Sequence, residues 1–440
     1  MSASVEAGPE RSGYGRGAAV LSVGIGTTGL ITFAYFSLAS YALPESQYGT
    51  ITLLWSAVFI TVSVLYRPVE QLLSRTIADR DARGVAGNQH LRVAATIQAG
   101  LGLVFAAAAL ALRGPLQDDL LGGAEALYWI LIATVLAYAA SYFARGFLAG
   151  HHRFGLYGGL VLMEASSRCL FAVAVTVGIA EGQTAVALGM AAAPLVSLAA
   201  VPWAIGRRLR RQSPVAASRE AAADPEAEAA GEPEFTLARG AGFAVAVLLI
   251  MLSEQTFLNA GPLLVKVTEG DHGAALAGFA FNVLLIARAP LQLFQAIQTS
   301  ILPHLTRLRA GGESDPFRRS VNVTLAAIAA FAVGVALVML AVGPALMGVV
   351  FGGEGDYDRG GLVLISLGMG LYLSAATLNQ ALLARALAGA ASACWLVTAA
   401  AFAAFLLLVD FDDRVLQVET AYLAAALALC AALYALYRRD

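Results

Sequence analysis

Runs of roughly 20 apolar residues, each stopped by a charge or a turn residue, recur twelve times along this chain, and the recurrence leaves few folds open. A helix of that length crosses the hydrocarbon core of a bilayer, where every backbone N–H and C=O must be paired within the segment. The runs fall near residues 17–42, 48–66, 93–112, 126–150, 156–180, 184–206, 238–265, 274–302, 321–351, 361–384, 387–409 and 421–437. Hydrophobic residues fill 59% of the 440 positions and charged residues 13%. Mean hydropathy is +0.72, so polar side chains are too few to clothe a water-soluble fold. The predicted fold class is an all-α polytopic membrane protein of about 12 transmembrane helices in two six-helix lobes, arranged as parallel repeats around a central cavity.

Residues 207–237 interrupt the apolar pattern. The stretch opens with Arg207, Arg208, Arg210 and Arg211 and becomes rich in Ala, Pro and Glu, a composition that buries little and reads as a cytoplasmic flexible linker. Lobes of residues 1–206 and 238–440 flank it. Because Lys and Arg are retained on the cytoplasmic side, an arrangement with both termini inside places 22 of the 28 basic residues in cytoplasmic segments. Arg113, Lys266, Arg359 and Arg414 fall outside, and Arg168 and Arg288 fall within spans. Residues 1–15 are polar and lack an Ala-x-Ala cleavage signal, so the first run is expected to stay as a span. The expected location is the cytoplasmic (inner) membrane of a bacterium with a GC-rich genome. Arg and Ala usage suggests the last point, since Lys266 is the single lysine.

Several classes of chemistry find no support. A net charge of −2 without a clustered basic face argues against nucleic acid as a partner. Cys169, Cys394 and Cys430 sit in apolar runs without metal-ligand spacing. The adjacent His151 and His152 point about 100° apart on a helix, with no carboxylate or third His nearby in sequence, so an interfacial loop is expected there, with no metal and no cofactor. No Walker A, H-E-x-x-H or G-x-S-x-G sequence occurs, and no catalytic residue is assigned. The loops assigned outside are short, which weighs against a glycan polymerase and suits a carrier.

Charges inside spans are costly and mark function or internal pairing. The second run ends in Arg67-Pro68, followed by Glu70 and Gln71; the eighth holds Arg288, Pro290, Gln292 and Gln295. Proline kinks a membrane helix where a neighbour or a wet cavity can satisfy the freed carbonyl. A kinked, polar second helix in each half therefore suggests a shared cavity, with snorkelling of Arg67 and glutamine-mediated helix packing as the alternatives. Glu164 and Arg168 are four apart and are expected to neutralise each other, unless Glu164 is a protonatable coupling group or Arg168 an anion contact. Glu254, Gln255 and Asn259 form another polar patch, serving as helix glue or cavity lining.

The segment Arg67-Pro68-Val69-Glu70-Gln71-Leu72-Leu73-Ser74-Arg75, with Arg145-Gly146-Phe147-Leu148-Ala149-Gly150 and Asn379-Gln380-Ala381-Leu382-Leu383-Ala384-Arg385, resembles polysaccharide flippases of the multidrug, oligosaccharidyl-lipid and polysaccharide exporter superfamily. The resemblance implies two bundles forming a V that opens to each side alternately. It implies a polyprenyl-pyrophosphate-linked oligosaccharide as cargo, moved to the outer leaflet for cell-envelope polysaccharide biosynthesis, with envelope-synthesis enzymes as possible partners. Arg67, Arg288 and Arg168 would hold the pyrophosphate, and Gln71, Gln292 and Gln295 would meet sugar hydroxyls. A second reading is a cation-coupled multidrug exporter of the same superfamily, for which Glu164 and Glu70 supply the acid of the N-terminal lobe, with Glu254 a further coupling candidate. A third is a non-transporting membrane scaffold docked through the linker.

Overall fold

The computed structural model describes residues 9–83, 88–212, 237–270, 273–286, 314–352, 357–385, 387–409 and 411–439, and every long element among them is helical. In chain order these are α1 (Pro9–Ala42), α2 (Glu45–Leu65), α3 (Arg67–Arg83) and α4 (Gln89–Ala111), then α5 (Glu125–Gly150), α6 (Phe154–Thr176) and α7 (Gly182–Gln212). The second half contains α8 (Leu237–Glu269), α9 (Gly273–Ile286), α10 (Ser314–Phe351), α11 (Arg359–Ala384), α12 (Ala388–Leu408) and α13 (Arg414–Arg439). Among the described residues, ten helical stretches are long and apolar enough to cross a membrane.

The chain is a polytopic α-helical membrane protein of two lobes, and its helix pairings repeat. α1 packs on α6 as α8 packs on α12; α5 packs on α7 as α11 packs on α13; α4 packs on α5 as α10 packs on α11. Two helices of the second half, α11 and α13, begin at an aspartate that satisfies free N–H groups. Asp358 Oδ2 accepts from Gly361 N at 2.8 Å, and Asp413 Oδ1 accepts from Val415 N and Leu416 N at 2.9 and 3.1 Å.

Two expected boundaries move. The second span does not stop at Tyr66: α2 and α3 form one membrane-crossing stretch, Glu45–Ala78, broken at Tyr66 just ahead of Arg67-Pro68. Proline lacks an N–H and is tolerated in the first turn of a helix, so α3 restarts there at little cost. Arg207 to Arg211, assigned above to the linker, continue α7. Residues 213–236 lie outside the described residues, as do Arg288, Gln292 and Gln295.

Among the described residues, the halves meet closely at the end remote from both termini. Tyr48 Oη donates to Asn282 Oδ1, and Asn282 Nδ2 donates to Tyr357 Oη at 3.2 Å. Phe36 meets Phe281 at a centroid distance of 4.6 Å, and Phe33 meets Phe351 at 5.4 Å. Tyr41 Oη and Ser37 Oγ donate to the carbonyls of Val349 and Val350. Small residues permit this closeness, for a Cβ on Gly49 would stand 1.7 Å from the Ala274 carbonyl oxygen.

A buried charge cluster as the candidate functional site

Most of the described charges inside the membrane collect in the N-terminal half, where α3, α5 and α6 meet. α5 is held against α3 by glycine: a Cβ on Gly146 would stand 2.9 Å from the Glu70 carbonyl oxygen, and one on Gly150 would stand 2.7 Å from Ile77 Cβ. That approach puts the polar stripe of α5, Tyr138, Ser141, Tyr142 and Arg145, beside Glu70 on α3 and Glu164 on α6.

Glu164 is buried and fully engaged. Arg145 Nη2 pairs with its Oε2, Ser141 Oγ donates to its Oε1, and Ser197 Oγ of α7 stands 3.3 Å from the same oxygen. The Arg145 guanidinium also lies over the Tyr142 ring, 4.6 Å from its centroid. Arg168, expected to pair with Glu164, takes another partner: its Nη1 donates to Tyr138 Oη at 2.6 Å, and its guanidinium rests over Trp55 at 5.1 Å and Phe59 at 5.7 Å. The reason is level. α5 and α6 run antiparallel, so Ser141 and Arg145 stand beside Glu164 while Tyr138, one turn away, stands beside Arg168. A carboxylate offered a cation and two hydroxyls across the helix interface outbids a pairing along its own helix.

Glu70, also buried, accepts from Tyr157 Oη at 2.8 Å and lies within electrostatic range of Arg145 and Arg67. Gln71 is exposed, on a different side of α3 from Glu70. Arg67 stands at the restart of the broken helix and faces the C-terminal half, where α3 touches α8. Glu254 of α8, Glu70 and the phenols of Tyr142 and Tyr157 lie within electrostatic range of it. In the remainder of the α8 patch, Asn259 Nδ2 donates to Gln255 Oε1 at 2.9 Å, one turn away along the same helix.

The structure brings Arg67, Glu70, Glu164, Arg168 and Glu254, read from the sequence as separate patches on different spans, within or beside one cluster, and adds Arg145, Tyr157, Tyr138, Ser141 and Ser197, which were not among the candidates. A signal for the α5 members existed: Ser141, Tyr142 and Arg145 form a polar stripe at helical spacing in an otherwise apolar run. The histidine reading also changes, since His151 Nδ1 lies 3.1 Å from Asp81 Oδ2. The carboxylate comes from α3, 70 residues away in sequence. Among the described residues no three metal-binding side chains converge.

No protein-family model matches the chain, and no curated protein matches it either. Solved structures do. An inward-facing multidrug-resistance transporter of the MATE family, in the MOP superfamily, matches with a TM-score of 0.66 at 13% identity, covering 96% of this chain and 97% of that one. A eukaryotic MATE transporter matches at 0.67 and 13%, over 98% and 96%. A MATE transporter of Vibrio cholerae matches at 0.61 and 16%, over 97% and 98%.

These similarities establish the fold, which is that of solved transporters. They also overturn the flippase resemblance, because the structures this chain follows over nearly its whole length are MATE transporters. With it fall the lipid-linked glycan as cargo, the role in polysaccharide biosynthesis and the envelope-synthesis enzymes as partners. The site gives a physical reason. A pyrophosphate needs arginines that are free to receive it, whereas among the described residues Arg145 is matched by Glu164, Arg168 donates to Tyr138 and lies over two rings, and Arg67 lies in electrostatic range of Glu70 and Glu254.

Proposed function

We propose that this protein is a MATE-type secondary transporter that exports organic compounds against a cation gradient, with residues 1–206 and 238–440 as its two moving halves. The observation that carries the reading is the pair of buried carboxylates, Glu70 and Glu164, set among hydroxyls and arginines inside an apolar bundle of this fold. A charged group in that setting is expensive unless it works, and proton coupling is the work such groups do in membranes. The two differ in fitness for it. Glu164 is tied to a cation and to two hydroxyls, which suits a structural part, whereas Glu70 accepts one hydrogen bond, from Tyr157, and exchanging a proton there disturbs fewer contacts. Glu70 is therefore the coupling group in this proposal, and Arg67 and Glu254 face the solute.

The arginine distribution supports the cytoplasm as the side that holds the termini, in the inner membrane. The test is transport of a planar aromatic cation into inside-out vesicles under an imposed pH or Na⁺ gradient. Accumulation under one of the gradients, collapsing when that gradient is dissipated, is the expected result. No accumulation under either gradient, with the protein inserted and folded, overturns the proposal.

A further inference from the structure

One buried acid stands apart from the cluster. Glu419 lies on α13, in the C-terminal half, 3% exposed, and among the described residues it makes no hydrogen bond and no ion pair. Its carboxyl group is pressed against the first turn of α11: a Cβ on Gly361 would overlap both of its oxygens. Two turns further along α11, a Cβ on Gly368 would stand 2.7 Å from Tyr422 of α13, so the two helices run in close contact from this end inward. The charged groups around Glu419 share its sign or are engaged elsewhere. Asp358 and Asp413, both in electrostatic range, cap the starts of α11 and α13. Arg414 Nε donates to Glu269 Oε1 at 2.7 Å, and Arg359 Nη1 reaches the Leu340 carbonyl at 3.4 Å. A buried carboxylate with neither a cation nor a donor is expensive, whereas the same group carrying a proton packs against a glycine at far lower cost.

The turn that Glu419 touches also carries a contact between the halves. Tyr357, four residues ahead of Gly361, accepts from Asn282 Nδ2 at 3.2 Å, and Asn282 accepts in turn from Tyr48 of the N-terminal half. Asp358, next to Tyr357, is bonded to Gly361 N at 2.8 Å, which ties the two parts of the turn together.

We propose that Glu419 is a proton-binding site that controls closure of the end remote from the termini. With its proton, Glu419 rests on Gly361 and holds the start of α11 where Tyr357 meets Asn282. When the proton passes to water at that end, the carboxylate draws in solvent, the first turn of α11 shifts and the halves part. This site is separate from Glu70, and its action requires no solute.

The test is the distance between spin labels at the exposed Ser46 and Thr268, one in each half, in the otherwise cysteine-free full-length protein in detergent. Between about pH 5 and about pH 9 the ratio of long to short distances is expected to rise about 10-fold in the native protein. Glu419→Gln should keep the short distance throughout, and Glu70→Gln should respond as the native protein does. A native protein without a pH response overturns the site, as does loss of the response in Glu70→Gln but not in Glu419→Gln. So does a Glu419→Gln protein that fails to fold, because the amide stands in for the protonated acid. Asn282→Leu separates this inference from the transporter reading, since it should lengthen the distance at every pH. If it does so while pH has no effect, the halves move and the proton site falls. If the distance stays short in Asn282→Leu and at every pH, the moving halves of the transporter reading fall as well.

Discussion

At the residue scale, the cluster is a set of trades between burial and pairing, and the trades can be measured. Removing one member of the Arg145–Glu164 pair strands the other charge in the bundle, so Arg145→Gln and Glu164→Gln should each destabilise the fold by about 3 kcal/mol. Replacing both with leucine should cost less than the sum of the two single changes, because no charge remains to be stranded. Chemical unfolding of the purified protein in detergent measures all three, and additive losses would mean the two residues are not coupled. The charges at 67, 70, 164, 168 and 254 stand out in the sequence because each interrupts an apolar run. Their partners do not, since pairing is settled across helices: Glu164 finds Arg145 at a separation of 19 residues and Ser141 at 23, while its neighbour by helical spacing turns to Tyr138.

At the element scale, glycine sets how closely helices approach, and two contacts matter most. Gly146 lets α5 carry Arg145 up to α3 and α6, and a Leu there would push against the Glu70 backbone. Gly146→Leu should therefore loosen the cluster and raise amide hydrogen exchange in α3 and α5 while leaving α11 and α13 at native values. Equal increases in both halves would place the cluster outside the cause. Gly49, against Ala274, holds the halves together at the end remote from the termini. Gly49→Val should open that end, read as faster maleimide labelling of a cysteine placed at the buried Thr50 in a cysteine-free background; unchanged labelling would show that this contact does not seal it. Helix existence was readable from apolar runs and the helix break from Arg67-Pro68. The close approaches were not, because glycines in membrane helices look alike until a partner helix is known.

At the scale of the whole molecule, six spans per half and their like direction follow from counting apolar runs and bases, and the repeated helix pairings agree with that plan. The assignment of cargo failed at this scale. It drew on arginines counted one at a time, whereas the fold sets Arg67, Arg145 and Arg168 among carboxylates and phenols and leaves no cationic cradle among the described residues. If the halves rock about this cluster, joining them across the Tyr48–Asn282 contact should stop transport. A Tyr48→Cys and Asn282→Cys pair should silence dye movement when oxidised and regain it on reduction; movement unchanged by oxidation, with the cross-link verified, would mean this end need not open. The central claim is that a buried carboxylate of the N-terminal half couples a cation gradient to export. Its most direct measurement compares gradient-driven dye accumulation with gradient-free dye exchange in vesicles containing the native protein or Glu70→Gln. The account predicts that Glu70→Gln keeps exchange and loses gradient-driven accumulation. Accumulation by Glu70→Gln at the native rate would contradict it.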